Sequence, residues 1–159
     1  MAYEARYQAV DGRPAFAAAA IRTDGVLSRR VFAYMIDLVV IAVLTVLFGF
    51  LVGVAGVVTF GLGWALYAIL VPGTAILYSA LSVGGPSMGT FGMRIMGLSA
   101  MDAETGRPVG VLIAGVHALM FYVGIGTFFL LVLDILIGFA RSDRRLGHDL
   151  LVGLILARR

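Results

Sequence analysis

The fold is decided by the stretch VFAYMIDLVVIAVLTVLFGFLVGVAGVVTF, which runs from Val31 to Phe60 and carries one charged side chain, Asp37. A helix needs roughly 20 apolar residues to cross a hydrocarbon core of about 30 Å. Two further runs, Leu62–Val83 and Val111–Ala140, equal or exceed that length. The chain is 61% hydrophobic with a mean hydropathy of +1.03, whereas roughly 45–50% of a soluble domain is apolar. The sequence therefore predicts a membrane protein.

The basic residues are all arginines, and they fall in three stretches. These stretches precede the first apolar run, separate the second run from the third, and follow the third: Arg6, Arg13, Arg22, Arg29, Arg30; Arg94, Arg107; Arg141, Arg144, Arg145, Arg158, Arg159. Because arginine concentrates in cytoplasmic loops, we expect both termini and the middle loop on the cytoplasmic face of the membrane. Anionic lipid headgroups are the expected partners of these clusters. Nucleic acid is not, since no basic stripe is interleaved with exposed aromatic residues.

The predicted fold is an all-α membrane bundle with two full transmembrane helices, at about 31–58 and 62–83, joined by an external turn. It belongs to a membrane domain over residues 28–159, preceded by a polar cytoplasmic segment over 1–27. Residues 111–140 are too long for one crossing and too short for two full helices, which need roughly 40 residues. We favour two short or re-entrant helices at 111–123 and 126–140 over one long tilted helix, because Gly124 and Gly126 mark a break.

A small sheet at the membrane surface is predicted beside the bundle. Residues 95–101 and 150–157 are apolar runs too short to span, and Gly85-Pro86 is a turn signal in the loop before the first of them. We expect the two runs to pair as an interfacial sheet on the cytoplasmic side.

Two acids interrupt the apolar runs at matching distances from their ends. Asp37 lies six residues after Val31, or about 9 Å into the membrane, and Asp134 lies six residues before Ala140. An aspartate at a helix centre costs roughly 2.5–3.5 kcal/mol, so each acid needs a polar partner. Arg30 shares a helical face with Asp37 and is expected to pair with it. The cluster of Arg30, Asp37 and Asp134 is interpreted either as an ion or proton site or as a clamp between helices.

Other side chains give weaker signals. His117, in the third apolar run, is interpreted as a satisfied polar residue rather than a proton carrier or haem ligand. No paired motif indicates a metal, the chain has no cysteine, and we expect no cofactor. An enzyme is not expected, because the candidate groups have no supporting arrangement: Ser79, Ser82, His117 and His148.

Gly49 and Gly53 form a GxxxG pair in the first helix. Such a pair allows close helix packing or dimerisation. A chain with about four short membrane segments is hardly large enough to enclose a pathway alone. We therefore expect a homo-oligomer or a partner membrane protein.

The sequence resembles the RDD family of bacterial membrane proteins, which is named for one arginine and two aspartates. The resemblance rests on residues 30–37 (RVFAYMID), 85–98 (GPSMGTFGMRIMGL) and 144–153 (RRLGHDLLVG), and it covers most of the chain from about residue 28. Where family members commonly have Gly-x-x-Gly-Lys-Arg, this chain has Met93 in place of the lysine.

The resemblance implies that the family arginine is Arg30 or Arg29 and that the two aspartates are Asp37 and Asp149, with Asp134 an addition. Asp149 lies in the His148-Asp149 pair, close in sequence to Arg144 and Arg145. It is expected either to accept arginine hydrogen bonds that pin the tail to the bundle or to be a solvated turn residue.

The resemblance further implies a transport-related role, which in some members is cation/proton exchange. The leading hypothesis is therefore a small membrane protein that handles a cation or proton at an Arg/Asp charge cluster. The alternative is a non-transporting accessory or scaffold subunit of a larger membrane complex.

Overall fold

The computed structural model describes Thr23 and residues 25–158, so most of the predicted polar segment 1–27 lies outside the described residues. The elements follow one another in this order: α1 (Val26–Val58), a 3₁₀ helix (Leu62–Ile69), α2 (Leu70–Val83), α3 (Phe91–Ile95), β1 (Leu98–Asp102), α4 (Val111–Gly126), α5 (Phe128–Ala140), α6 (Gly147–Leu151) and β2 (Leu154–Arg158). The architecture is the predicted all-α membrane fold with one small sheet.

The first two candidate membrane spans are α1 and the segment Leu62–Val83, which are long and apolar enough to cross a bilayer. Large apolar side chains along α1 are exposed, among them Val46 at 75% and Phe50 at 69%. Water would penalise a continuous apolar surface of this kind, whereas lipid tails match it. The exposed apolar surface of α1 is therefore the kind of surface that contacts lipid tails.

The second span differs from a regular α-helix, because its first part, Leu62–Ile69, is a 3₁₀ helix. Pro72 lies in the first turn of α2, where its missing N–H is not needed for helical hydrogen bonding. This proline allows a new α-helix to begin at Leu70 but cannot donate a bond back into the preceding turn. The predicted turn between the first two apolar segments is confirmed at residues 59–61.

Gly49 and Gly53, predicted to pack helices, contact the 3₁₀ segment of the same chain. The Tyr67 hydroxyl donates to the Gly49 carbonyl at 2.8 Å and would lie 3.1 Å from a Cβ at Gly53. The tighter glycine is Gly56, where a Cβ would collide with the indole ring of Trp64. This glycine face is therefore occupied within the chain.

The close helix approach occurs between α2 and α4. A Cβ at Gly84 would collide with the Val111 backbone, and one at Gly115 would lie 3.5 Å from Ala80 Cβ. Small residues let backbones approach where the surrounding lipid offers little hydrophobic driving force. This contact fixes α4, and with it His117, against the second span.

Residues 111–140 form two helices, α4 and α5, bent by 118° at Thr127. His117 of α4 and Asp134 of α5 both contact α6, at Asp149 and His148 respectively. The chain therefore turns back at Thr127, and both arms reach the same polar group of residues.

The predicted sheet forms, with shifted limits. Strands β1 and β2 are antiparallel, with Ala100 opposite Leu156, whereas residues 91–95 and 147–151 are helical. Gly97 and Gly153, with φ of 67° and 69°, each turn the chain from a short helix into its strand. The strands contribute to a core of small and branched apolar side chains: Val26, Ala33, Val83, Met93, Leu98, Ala100, Val109, Ala114, Leu154 and Leu156.

Candidate functional site

Asp37 joins α1 to α2 and α3. One carboxylate oxygen accepts from the Tyr78 hydroxyl at 2.7 Å and the Gly92 N–H at 2.8 Å, and the other accepts from the Thr90 hydroxyl at 2.5 Å. The residue is buried, at 6% exposure. Three donors satisfy most of a carboxylate's hydrogen-bonding capacity. Asp37 is therefore a clamp between helices.

The predicted pair of Arg30 with Asp37 is wrong. Arg30 Nη2 instead lies 2.6 Å from Asp149 Oδ2. The physical reason is the direction of helical side chains, since each Cα–Cβ bond tilts toward the N-terminus of its helix. Arg30 therefore points away from Asp37, which lies about two turns further along α1.

Asp134 holds the beginning of α6 to α5. Its Oδ1 accepts the His148 backbone N–H, and its Oδ2 lies 2.8 Å from His148 Nδ1. Because an ionised carboxylate only accepts hydrogen bonds, His148 Nδ1 carries a proton in this contact. Asp134 therefore fixes both the backbone and the ring orientation of His148.

The two acids found at similar depth in the sequence have the same structural role. Asp37 accepts the N–H of Gly92 at the start of α3, and Asp134 accepts the N–H of His148 at the start of α6. Carboxylates are favourable at a helix N-terminus, where backbone N–H groups have no partner within the helix. Each acid thus joins a membrane helix to a short helix that leads into one strand.

Asp149 is the centre of a cluster with Arg30, His117 and His148, which we call the ion cluster. The Asp149 side chain is fully buried. Its Oδ2 faces Arg30 and accepts from the Leu146 N–H at 2.9 Å. Its Oδ1 lies 2.8 Å from His117 Nε2 and 3.5 Å from His148 Nε2. Oδ2 thus faces the cationic Arg30, whereas Oδ1 faces the two imidazole rings.

Arg30 makes fewer aligned hydrogen bonds than an arginine that binds a carboxylate through two parallel bonds. Among the described residues, neither its Nε nor its Nη2 has an aligned hydrogen bond, although both atoms are buried. The close contact with Asp149 is therefore an ion pair that lacks the two parallel bonds of a fork.

The remaining predicted arginines lie around the ion cluster without touching the Asp149 carboxylate. Arg29 donates to the Met96 carbonyl at 2.7 Å, and Arg144, with φ of 56°, donates to the Phe139 carbonyl. Arg145 donates to the carbonyls of Leu154 and Asp149. The expectation that Asp149 accepts forks from Arg144 and Arg145 is wrong, because both guanidinium groups bind backbone carbonyls.

A cavity of about 130 Å³ lies between the Asp37 clamp and the ion cluster. A buried water needs roughly 10–15 Å³ of such volume, so several fit. The polar residues in its lining are Arg30, Tyr34, Asp37, Ser79, Thr90, His117, Tyr122 and His148. The cavity therefore borders both the Asp37 clamp and the ion cluster.

The pKa of the Asp149 carboxyl reflects opposing causes. Burial raises it, but the Arg30 charge and the His117 hydrogen bond lower it more, so the pKa lies well below its ordinary value. A depressed pKa means that the unfolded chain binds the proton more tightly than the folded chain does. Ionised Asp149 therefore stabilises the fold above its unfolded pKa, and this stabilisation is lost as the pH falls toward the folded value.

We expect the thermal unfolding temperature in detergent to fall as the pH drops from about 5 to 3, with Asp149 contributing strongly to the slope. In Asp149→Asn the slope will be shallower. Asp143→Asn removes an acid from a partly exposed pair with Arg141 and will retain most of the wild-type slope. Equal slopes in wild type and Asp149→Asn would contradict the assignment.

The sequence did not indicate the three residues that donate hydrogen bonds to Asp37. Tyr78, Thr90 and Gly92 were not predicted as site residues. Thr90 carried a signal, because it caps α3 by accepting the Met93 N–H and threonine is a favoured N-cap. Gly92 is the second glycine of the Gly-x-x-Gly stretch that carries the resemblance, but that stretch does not indicate a contact with Asp37. Tyr78 carried no signal, since its role depends on which helices are neighbours.

Comparison with known proteins supports the resemblance. The model of the RDD family matches residues 25–153, which include Arg30, Asp37 and Asp149. No curated protein and no solved structure matches the chain. Since the matched region extends over well more than half of the sequence, the chain belongs to the RDD family.

Proposed function

We propose that this small membrane protein has a transport-related role, in which the ion cluster takes up a cation in exchange for protons. The carrying observation is the contiguous arrangement of Asp134, His148, Asp149 and His117. Consecutive contacts in this row measure 2.8, 3.5 and 2.8 Å. Such a row of acids and imidazoles is typical of intramembrane ion and proton pathways.

Charge balance supports cation binding. Asp134 and Asp149 contribute two negative charges, and Arg30 contributes the one positive charge in direct contact with either carboxylate among the described residues. With neutral imidazoles one negative charge remains. Because an unbalanced charge is costly in apolar surroundings, the cluster favours an added cation.

Access to the ion cluster is supported by two cavities. The 130 Å³ cavity reaches Arg30, His117 and His148. A larger one of about 680 Å³ lies between the start of α1 and the α4–α5 hairpin, and its lining includes Arg30, Asp134 and Arg144. Arg30 borders both cavities. In this proposal the two cavities give an incoming cation access to the ion cluster while Arg30 stays paired with Asp149.

The role proposed here for Asp37 is structural and not ion exchange. Its three donors tie it to α2 and α3, so it is assigned to the scaffold rather than to ion exchange. The ion-handling role is proposed for Asp149 and its neighbours. No enzymatic step is proposed.

The proposed orientation has the sheet and both termini in the cytoplasm of a bacterial inner membrane. The support is the placement of every arginine outside the longest apolar stretches. Anionic headgroups would then neutralise the arginine clusters. We also propose a second copy or a membrane partner, because the described spans are few for a chain that encloses a pathway alone.

Reconstituted liposomes containing a trapped pH dye test the exchange. An imposed gradient of Na⁺, K⁺ or Zn²⁺ is expected to drive proton movement above the rate of protein-free liposomes. His117→Gln and His148→Gln are each expected to reduce this rate by about tenfold or more, because they remove groups that exchange protons. Asp143→Asn, an acid substitution on the same side but outside the ion cluster, should leave the rate unchanged.

Rates equal to protein-free liposomes for every cation would contradict the exchange. If such protein also co-purified with one fixed membrane partner, the accessory-subunit alternative would take its place. Equal flux in wild type and in the two histidine variants would instead remove the ion cluster from the pathway.

A further inference from the structure

We propose that His117, His148 and Asp149 form a binding site for one divalent first-row transition metal ion. Each of the three residues offers a ligand atom, and these atoms all lie within 4.8 Å of one another. His117 comes from α4, whereas His148 and Asp149 come from α6. The inference rests on the proposed function in that it names the class of cation that the ion cluster exchanges.

The separations between ligand atoms fit a metal ion. For metal–ligand distances near 2.0–2.1 Å, tetrahedral geometry places two ligands roughly 3.3 Å apart. Asp149 Oδ1 lies 2.8 Å from His117 Nε2 and 3.5 Å from His148 Nε2. The two distances bracket the required value. All three ligand atoms lie within 4.8 Å of one another, so any separation above about 3.3 Å would shorten when the ion binds.

Asp134 orients one of the ligands, His148, as carboxylates do in metal sites. Metal-binding histidines almost always donate their other ring N–H to a carboxylate or carbonyl. Asp134 accepts from His148 Nδ1 in this way. Since Nδ1 then holds the proton of the neutral ring, His148 Nε2 presents its lone pair toward Asp149 and His117.

The two oxygens of Asp149 divide the charges between them. Oδ2 contacts Arg30 and the Leu146 N–H, while Oδ1 faces only the two imidazoles among its described contacts. A metal ion at Oδ1 therefore does not displace Arg30. The ligand set of two imidazoles and one carboxylate is suited to zinc and its first-row neighbours and leaves a coordination position open.

Binding is measurable because the chain contains only two histidines. Protein purified without a polyhistidine tag is placed in nanodiscs, stripped with EDTA and titrated with Co²⁺ and Zn²⁺. We expect one ion per chain and a Co²⁺ absorption spectrum typical of low coordination number. His117→Gln and His148→Gln are each expected to weaken Zn²⁺ binding at least about 100-fold, and Asp134→Asn about 10–100-fold through the orientation of His148. Asp143→Asn is the matched control and should bind as wild type does.

A second measurement uses unmodified wild type, in case a variant does not fold. Zn²⁺ should protect both histidines from diethylpyrocarbonate, as read by mass spectrometry. Modification at equal rates with and without Zn²⁺ would overturn the site, as would stoichiometric binding that persists when both histidines are replaced.

Because binding is measured without a gradient, its failure is separable from failure of transport. Proton exchange driven by Na⁺ or K⁺ without Zn²⁺ or Co²⁺ binding would overturn the metal site and leave the exchange standing. One bound metal ion without any flux would support the site and contradict the exchange.

Discussion

Asp149→Asn is expected to lower the free energy of unfolding by about 3–5 kcal/mol, the usual cost of removing one partner from a buried ion pair. The substitution preserves the shape of the side chain but removes its charge. Arg30, whose side chain is 12% exposed, would then remain buried without a counter-charge. Unfolding in detergent, followed by the emission of the single tryptophan, Trp64, measures the loss.

A double variant separates charge from packing in this prediction. Arg30→Met combined with Asp149→Asn removes both members of the pair. It should be more stable than Asp149→Asn alone, because no isolated guanidinium group remains. Asp143→Asn, whose pair with Arg141 is half exposed, should change the unfolding free energy by less than about 1 kcal/mol. If Asp149→Asn were as stable as wild type in detergent, the Arg30–Asp149 ion pair would be contradicted.

Gly92→Ala is expected to have the second large effect, about 3 kcal/mol or more. A Cβ at this position would collide with the Ala33 carbonyl oxygen and approach Asp37 Cγ to 3.0 Å. Overpacking alone costs roughly 1–3 kcal/mol. Displacing α3 would also break the bond from the Gly92 N–H to Asp37, a charge-assisted bond of roughly 1.5–3 kcal/mol.

Gly73→Ala is the matched control for that variant. Gly73 lies in helix α2, and no atom lies within 4 Å of a Cβ placed there. Alanine favours helix over glycine by roughly 0.5–1 kcal/mol, so this variant should equal or exceed wild type in unfolding temperature. If Gly92→Ala and Gly73→Ala unfolded alike, the close approach of α3 to α1 would be contradicted.

Apolar length and turn chemistry account for what the sequence predicted well. The long apolar runs predicted the candidate membrane helices, the turn between the first two runs was confirmed, and the two short apolar runs paired with each other. The strand limits were less accurate, because Phe91–Ile95 and Gly147–Leu151 each form one helical turn capped by an acid from a membrane helix. Such capping requires knowledge of which helices are neighbours.

The sequence indicated the acids of the site, but it did not indicate which side chains contact them. Spacing along α1 placed Arg30 and Asp37 on one face, but spacing does not give the direction of a side chain along the helix axis. His117 and Asp149 are 32 positions apart, and no periodicity relates them. Each histidine therefore appeared isolated, although the fold brings their rings together through the turn at Thr127.

The position of β2 at the end of the domain has a consequence for biogenesis. During translation, α1, α2, α4 and α5 leave the ribosome before residues 147–158 do, since synthesis proceeds from the N-terminus. Until residues 147–158 have been synthesised, three side chains and one strand edge therefore lack their partners: Arg30, His117, Asp134 and the open edge of β1. The ion cluster and the sheet therefore form only after Gly147–Leu151 and β2 have been added, and a chain truncated before Gly147 would keep the apolar helices without these contacts.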